Sequence, residues 1–133
     1  MNRVLVVLVG ILSFAGCATT YGMPLEERSR AYRAERNVVS QAALAAVDDA
    51  NLALTETEME HGRIRARASG SIWDLKGHVL LVVVTDLGDG RVRVDANAET
   101  VSEGKVIDFG RSGGIVRDYL TALDSQVLDA IGG

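Results

Sequence analysis

The sequence predicts an α+β fold, a two-layer sandwich in which a four-stranded antiparallel meander is packed by an N-terminal and a C-terminal helix. Three observations indicate this class. Apolar residues recur at helical spacing over 37–50 and again over 115–131. Between these segments, apolar and polar residues alternate as they do in strands. Short glycine-containing turns separate the alternating runs, so consecutive strands are expected to be antiparallel neighbours.

Composition limits the classes of function. The chain has 133 residues, which is enough for one small domain and an appendage. Its formal net charge of −4 argues against a dedicated nucleic-acid-binding protein, because such proteins carry a basic excess. The single cysteine excludes an intramolecular disulfide and a multi-cysteine metal cluster. We therefore expect no nucleic-acid partner, no metal and no cofactor.

The N-terminus reads "MNRVLVVLVGILSFAGC" and resembles a secretory signal. One basic residue, Arg3, precedes the apolar run 4–15, which is shorter than the about 20 residues that a membrane-spanning helix needs. Its length and basic flank are typical of the apolar core of a signal peptide. The run ends in the small residues Ala15 and Gly16, and these lead directly into Cys17.

This small-small-cysteine end resembles the lipobox of bacterial lipoproteins, although Phe14 stands where leucine is commonest. The resemblance covers residues 1–20. It implies a signal peptide over 1–16, cleavage between Gly16 and Cys17, a diacylglycerol on the thiol of Cys17, and an acyl chain such as palmitate on the new amino group. Several acyl chains anchor a protein stably in a membrane. The alternative is an ordinary signal with a chance cysteine.

The residue after the cysteine bears on the membrane in which the anchor resides. Retention in the inner membrane of many diderm bacteria follows a rule that requires aspartate there, and this chain has Ala18. The resemblance therefore implies an outer-membrane lipid anchor that faces the periplasm, if the host is diderm. In a monoderm host, it implies the outer face of the single membrane.

The mature chain divides into a lipidated N-terminus and tether over 17–36 and an α+β domain over 37–131. The tether is polar, and a helical turn after Pro24 is left open as an alternative because proline suits a first helical position. A fifth strand over 105–109 is also left open. The apolar stripe of the last helix contains Val116, Tyr119, Leu120, Leu123, Val127, Ala130 and Ile131.

The segment "TETEMEHGRIRARA" predicts a hairpin in which glutamates face arginines. With turns at 61–62, 74–77 and 87–90, the predicted sheet has one apolar face and one charged face. The predicted pairs are Glu60–Arg63, Met59–Ile64, Glu58–Arg65, Glu56–Arg67, Ile72–Val79, Ala68–Val83, Arg65–Asp86, Asp86–Arg91, Val83–Val94, Leu81–Ala96 and His78–Glu99. In this register, the arginine stems cover Leu80, Val82 and Val84 on the outer face of the central strand.

Two groups of residues are candidate binding sites. The glycine-rich run Gly110, Arg111, Ser112, Gly113 and Gly114 precedes a helix, so its amide groups are candidates for contact with an anion or ligand. The favoured interpretation of this run is nevertheless a simple chain reversal, because it lacks the lysine and spacing of a P-loop, and Ser112 is equally a candidate helix cap.

The second group consists of the basic residues Arg67, Arg91 and Arg93, which are candidates for surface contact with lipid headgroups or polysaccharide. The favoured interpretation of the basic strands is nevertheless internal neutralisation by cross-strand carboxylates.

Catalytic chemistry has no positive indication in the sequence. His61 and His78 lack a second histidine or cysteine at ligand spacing, and no serine lies in a nucleophile-elbow motif. We therefore expect that the protein is not an enzyme.

The pattern of "AALAAVDDANLAL", "GRIRARA" and the terminal helix resembles small uncharacterised envelope lipoproteins. This resemblance implies a non-enzymatic binding or scaffolding domain with an envelope protein as partner. The alternative is a periplasmic carrier or sensor of a small anionic or lipidic ligand, held in the space between helices and sheet or at the Gly110–Gly114 loop. The oligomeric state is left open.

Overall fold

In the part of the chain that the structure describes, five strands form one antiparallel sheet and two helices pack on one of its faces. The computed structural model describes residues 23–68, 78–100 and 111–132. The strand order across the sheet is β1-β5-β4-β3-β2, and the predicted two-layer α+β architecture is confirmed. The elements are β1 (Ser29–Arg33), α1 (Arg36–Asp49), β2 (Ala53–Glu58), β3 (Arg63–Ala68), β4 (His78–Asp86), β5 (Arg91–Thr100) and α2 (Arg111–Gly132).

The fifth strand of the sheet is β1, in a segment that the sequence assigned to a tether. After a single helical turn at Leu25–Glu27, β1 pairs with β5 at the edge of the sheet, with Arg30 opposite Val94. The prediction of a tether is therefore wrong for residues 23–36, which belong to the domain. The strand predicted at 105–109 lies outside the described residues, as does the signal segment.

A polar contact with α2 explains why this short polar segment joins the sheet. Arg30 and Tyr32 lie on the face that the helices cover, and both contact Asp124 of α2. The Nε of Arg30 donates to Oδ2 of Asp124 at 3.2 Å, and the hydroxyl of Tyr32 donates to Oδ1 at 2.5 Å. Burial, followed by this hydrogen bond to a carboxylate, raises the pKa of Tyr32. The edge strand is thus fixed by a contact with a distant part of the chain.

The core lies between the sheet and the two helices, which also pack against each other. Tyr119 of α2 is fully buried, and its hydroxyl donates to the backbone oxygen of Ala43 in α1 at 2.8 Å. Ala130 and Ile131, predicted to continue the apolar stripe of this helix, are exposed. The fully buried side chains include Val39, Ala43, Ala46, Ala66, Leu80, Val94, Ala98, Val116, Tyr119, Leu120 and Leu123.

The hairpin of β2 and β3 forms as predicted, but its register differs by two residues. Met59–His61 forms a helical turn and Gly62 completes it, so Glu58 rather than Glu60 faces Arg63. A shift by two keeps every side chain on its predicted face, because the period of a strand is two residues. A bulge between Leu54 and Glu56 ends this register.

The pairing of β4 with β3 and its pairing with β5 each differ from the predicted register by an odd number of residues. Ala68 faces His78 rather than Val83, a shift of five residues, and His78 faces Thr100 rather than Glu99, a shift of one. The second shift arises because the turn between Asp86 and its partner Val92 contains the five residues 87–91, instead of the predicted four. The side chain of Asp86 accepts the amide hydrogen of Gly88 at 2.8 Å within this connection.

Gly62 gives a direct test of the hairpin. Its φ is +68°, and a Cβ at this position would lie 2.2 Å from the backbone oxygen of Val84. We expect Gly62→Ala to lower the free energy of unfolding by more than about 2 kcal/mol, since a left-handed conformation costs about 1–2 kcal/mol and the clash adds to it. Urea denaturation measures the loss.

Gly88→Ala is the matched control, because Gly88 has a φ of +87° and open space where the Cβ would lie. Only the backbone cost applies there. Equal losses for the two variants would show that the contact with Val84 is absent.

Tyr32 and Tyr119 predict sensitivity to high pH. Burial raises the pKa of Tyr119, and burial together with Asp124 raises that of Tyr32. Because an unfolded tyrosine ionises near pH 10 while these two retain their protons in the folded state, stability is unaffected below that pH and falls as the pH rises above it.

In a Tyr21→Phe variant, which leaves these two as the remaining tyrosines, tyrosinate absorbance should rise together with the loss of the helical circular dichroism signal. Full ionisation of both phenols with the helical signal intact would contradict the raised pKa values.

Candidate functional site

The structure assigns different places to the residues that the sequence singled out. Gly16, Cys17 and Gly110 lie outside the described residues. Arg111 begins α2, and Ser112, Gly113 and Gly114 lie in its first turns. The prediction that this run is a loop, with Ser112 as a helix cap, is therefore wrong. Contact between this segment and an anion stays a prediction, without the side chain of Ser112, which is buried.

The sheet face opposite the helices, here called the open face, carries most of the remaining candidates. Along β3, Ile64, Ala66 and Ala68 point into the core, so the alternate residues point outward. These are Arg63, Arg65 and Arg67, the arginine column. The column extends along the sheet between the edge strand β2 and the central strand β4.

The arginine column faces glutamates of β2, as the sequence predicted, although with different partners. Arg63 lies 4.0 Å from Glu58, and Arg65 lies 3.8 Å from Glu56. All four side chains are at least half exposed, so the pairs are held loosely and contribute little to stability. Arg67 is opposite Ala53 instead of the predicted Glu56. The hairpin is thus partly neutralised and its guanidinium groups stay accessible.

Arg91 and Arg93 are neutralised within their own part of the chain. Nη2 of Arg91 lies 2.8 Å from Oδ2 of Asp89, and this pairing lowers the pKa of Asp89 and raises that of Arg91. The Nε of Arg93 donates to Oδ2 of Asp95 at 3.0 Å. Asp86, the predicted partner of Arg91, instead faces Val92. Neither arginine is therefore an uncompensated charge on the open face.

The middle of the open face is apolar. Val79, Leu81 and Val83 of β4 point outward and form the apolar strip, in which Val83 is 40% exposed. The sequence had placed Leu80, Val82 and Val84 on this side, and that prediction is wrong because those three side chains are buried under the helices. The apolar strip lies directly beside the arginine column. Parts of both line a shallow groove of about 320 Å³, with Glu56 and Glu58 along its outer side. The lining residues from the column and the strip are Arg63, Arg65, Leu81 and Val83.

Beyond the apolar strip, β5 presents Asp95, Asn97 and Glu99, which form the acceptor column. The Oδ1 atoms of Asp95 and Asn97 are shielded from solvent, and no described residue donates a hydrogen bond to them. Arginine and acceptor columns share rows across the apolar strip. The rows are Arg63–Val83–Asp95, Arg65–Leu81–Asn97 and Arg67–Val79–Glu99. The open face therefore has donors on one side of an apolar centre and acceptors on the other.

Sequence reasoning identified the arginines but missed the apolar strip and the acceptor column. The run "HVLLVVVTD" contained the signal, because its apolar residues occupy both sides of one strand. Such a strand suggests cover on both faces. The described helices cover one face, which leaves the other row of apolar residues outward.

The described part of the chain lacks the features of a metal site and of a membrane-spanning helix. Residues 23–68, 78–100 and 111–132 contain no group of three histidine, cysteine or acidic side chains that could hold a metal ion. No helix within these ranges is both long and apolar enough to cross a membrane. Comparison of the sequence with protein-family models and with curated proteins gave no match. Fold and geometry define an α+β two-layer protein whose candidate functional surface is the open face.

The observed hairpin register can be tested by double-mutant cycles. We expect Glu56→Gln and Arg65→Gln to show a coupling of about 0.2–1 kcal/mol at low salt, because these side chains face each other at the surface. Glu56→Gln and Arg67→Gln, the pair that the sequence predicted, should show no coupling. Urea denaturation of the four variants in each cycle gives both values, and coupling to Arg67 alone would restore the predicted register.

Proposed function

We propose that the protein is a membrane-anchored envelope lipoprotein whose small non-enzymatic domain binds or scaffolds an envelope protein. The open face carries the binding part of this proposal. It combines an apolar strip, accessible guanidinium groups and hydrogen-bond acceptors on a rigid sheet, as protein-binding surfaces do. The membrane address is supported by the lipobox residues Ala15, Gly16 and Cys17.

The length of the connection to Cys17 limits where the domain can act. Five residues, 18–22, separate Cys17 from Met23, whose side chain is already buried in the fold. Even a fully extended chain spans only roughly 20 Å over this interval. The domain is accordingly held close to the bilayer, and its partner is a protein at the same membrane surface. With Ala18 after the cysteine, that surface is the periplasmic side of the outer membrane in a diderm host.

The alternative function, a carrier or sensor of a small anionic or lipidic ligand, has the groove beside Arg63 and Arg65 as its site. The groove volume of about 320 Å³ lies at the lower end of the range for ligand pockets. The space between helices and sheet offers this function little support, because Leu120, Leu123 and Val82 fill it. Mass spectrometry of the purified protein separates the alternatives, since a stoichiometric small molecule supports the carrier and a crosslinked protein supports scaffolding.

The lipid anchor has its own test. Cys17→Ser should abolish incorporation of labelled palmitate, because Cys17 is the sole thiol of the chain. The precursor should then not be processed as a lipoprotein and should keep its signal peptide. The protein should then lose the mass of its acyl chains. Thr121→Cys restores an exposed thiol elsewhere in the Cys17→Ser background and is the matched control, which should stay unlabelled. Unchanged labelling of Cys17→Ser would contradict the anchor.

A further inference from the structure

The open face is complementary to itself. The arginine column and the acceptor column lie on opposite sides of the apolar strip, and matching residues occupy the same rows. A two-fold axis parallel to β4 and between two facing sheets exchanges the two sides and leaves the rows unchanged. It therefore sets Arg63 of one copy opposite Asp95 of the other and Arg67 opposite Glu99. The apolar strip meets its own copy at the axis.

Spare hydrogen-bonding groups also lie on opposite sides of the apolar strip, with acceptors on β5 and donors on β3. Oδ1 of Asp95 and Oδ1 of Asn97 have no donor among the described residues. Arg63 and Arg65 have five N–H groups each and only distant contacts with their glutamates, at 4.0 and 3.8 Å. The two-fold arrangement brings these donors to the rows of the acceptors in the second copy. Binding then requires the side chains of Asp95 and Asn97 to turn outward, because their Oδ1 atoms are shielded in the single chain. The acceptors on β5 of one copy thus receive hydrogen bonds from the spare N–H groups on β3 of the other.

The size of the open face suits such a contact. Five strands spaced about 4.8 Å apart, with roughly seven residues each at about 3.3 Å per residue, cover roughly 600 Å² before surface relief is counted. Specific interfaces bury about 800 Å² on each partner. Sheets that pack face to face keep their strands within about 30° of each other, which preserves the matching of rows near the axis.

We propose that the open face binds the open face of a second copy of this chain, in a symmetric dimer with its two-fold axis along β4. This proposal rests on the proposed function for its binding surface and its setting. Rotation about an axis leaves height along that axis unchanged, so both N-termini leave the dimer at one level. With the axis along the membrane normal, both lipid anchors reach the same bilayer, and shared anchoring raises the effective concentration of the copies.

Crosslinking of the full-length protein in membranes and in dilute detergent tests the dimer. Val83→Cys puts a thiol on the apolar strip near the axis at a position that is 40% exposed, so the substitution leaves the core intact. A short bis-maleimide reagent should join two Val83→Cys chains into a product of twice the mass. Thr121→Cys, exposed on α2 in the other layer, is the control and should stay monomeric.

Charge exchange then tests the geometry in the Val83→Cys background. Glu99→Lys should reduce the crosslinked product roughly tenfold, because it sets an ammonium group against the guanidinium of Arg67 twice in each dimer. Adding Arg67→Glu to the same chain should restore the product, since the charges are then exchanged and complementary again. Circular dichroism of each variant verifies folding. A variant that crosslinks equally with and without Glu99→Lys overturns the proposed arrangement.

The remaining outcomes overturn the dimer itself. The first is a Val83→Cys chain that stays monomeric, whether its thiol reacts with the reagent or is covered by another segment. The second is a crosslinked product whose mass shows that the partner is a different protein. Failure of the lipid anchor is recognised separately, because an unmodified Cys17 would make the wild-type chain react with the reagent and lack palmitate label. Absence of a product at position 83 with a labelled Cys17 refutes the dimer and leaves the lipoprotein proposal standing.

Discussion

Burial of one side of β4 under the helices is the constraint on which the rest of the structure depends. Leu80, Val82 and Val84 are at most 3% exposed, and they pack beneath α1 and α2. Because successive side chains of a strand point to opposite faces, this choice sends Val79, Leu81 and Val83 outward. Pairing with β3 and β5 then fixes which side of each neighbour faces the helices. The character of the open face therefore follows from how the central strand packs.

The sequence was sufficient for the architecture but not for the orientation of this strand. Alternation marks the core sides of β3 and β5, and helical spacing marks α1 and α2. In β4, both sides are almost equally apolar, so a pattern of hydrophobicity cannot choose between them. The predicted registers erred by five residues on one side of β4 and by one on the other. An odd error in register exchanges the two faces of the next strand, and a second odd error restores them. The faces of β3 and β5 were therefore assigned correctly, while those of β4 were exchanged.

The remaining differences come from tertiary contacts that local patterns do not carry. The strand β1 reads as polar, and its Arg30 and Tyr32 become stable on the helix side of the sheet through Asp124, more than ninety positions away. Gly113 and Gly114 suggest a loop, since glycine costs about 1 kcal/mol in a helix. They are helical here because Val116 and its neighbours are buried against the sheet. In the candidate site, the arginine column could be predicted from the sequence, whereas the apolar strip and the acceptor column beside it could not.

The β2 edge of the sheet disfavours pairing with a further strand, which is consistent with the open face as the proposed binding surface. An edge strand with unpaired backbone groups invites further strands, and exposed charges and bulges oppose this. All six residues of β2 are exposed, Glu56 and Glu58 lie among them, and a bulge interrupts the strand after Leu54. A sheet extended through this edge would set glutamates of two chains against each other. The glutamates of "TETEMEHGRIRARA" thus have two effects, because they partly neutralise the arginine column and make the edge unfavourable for pairing.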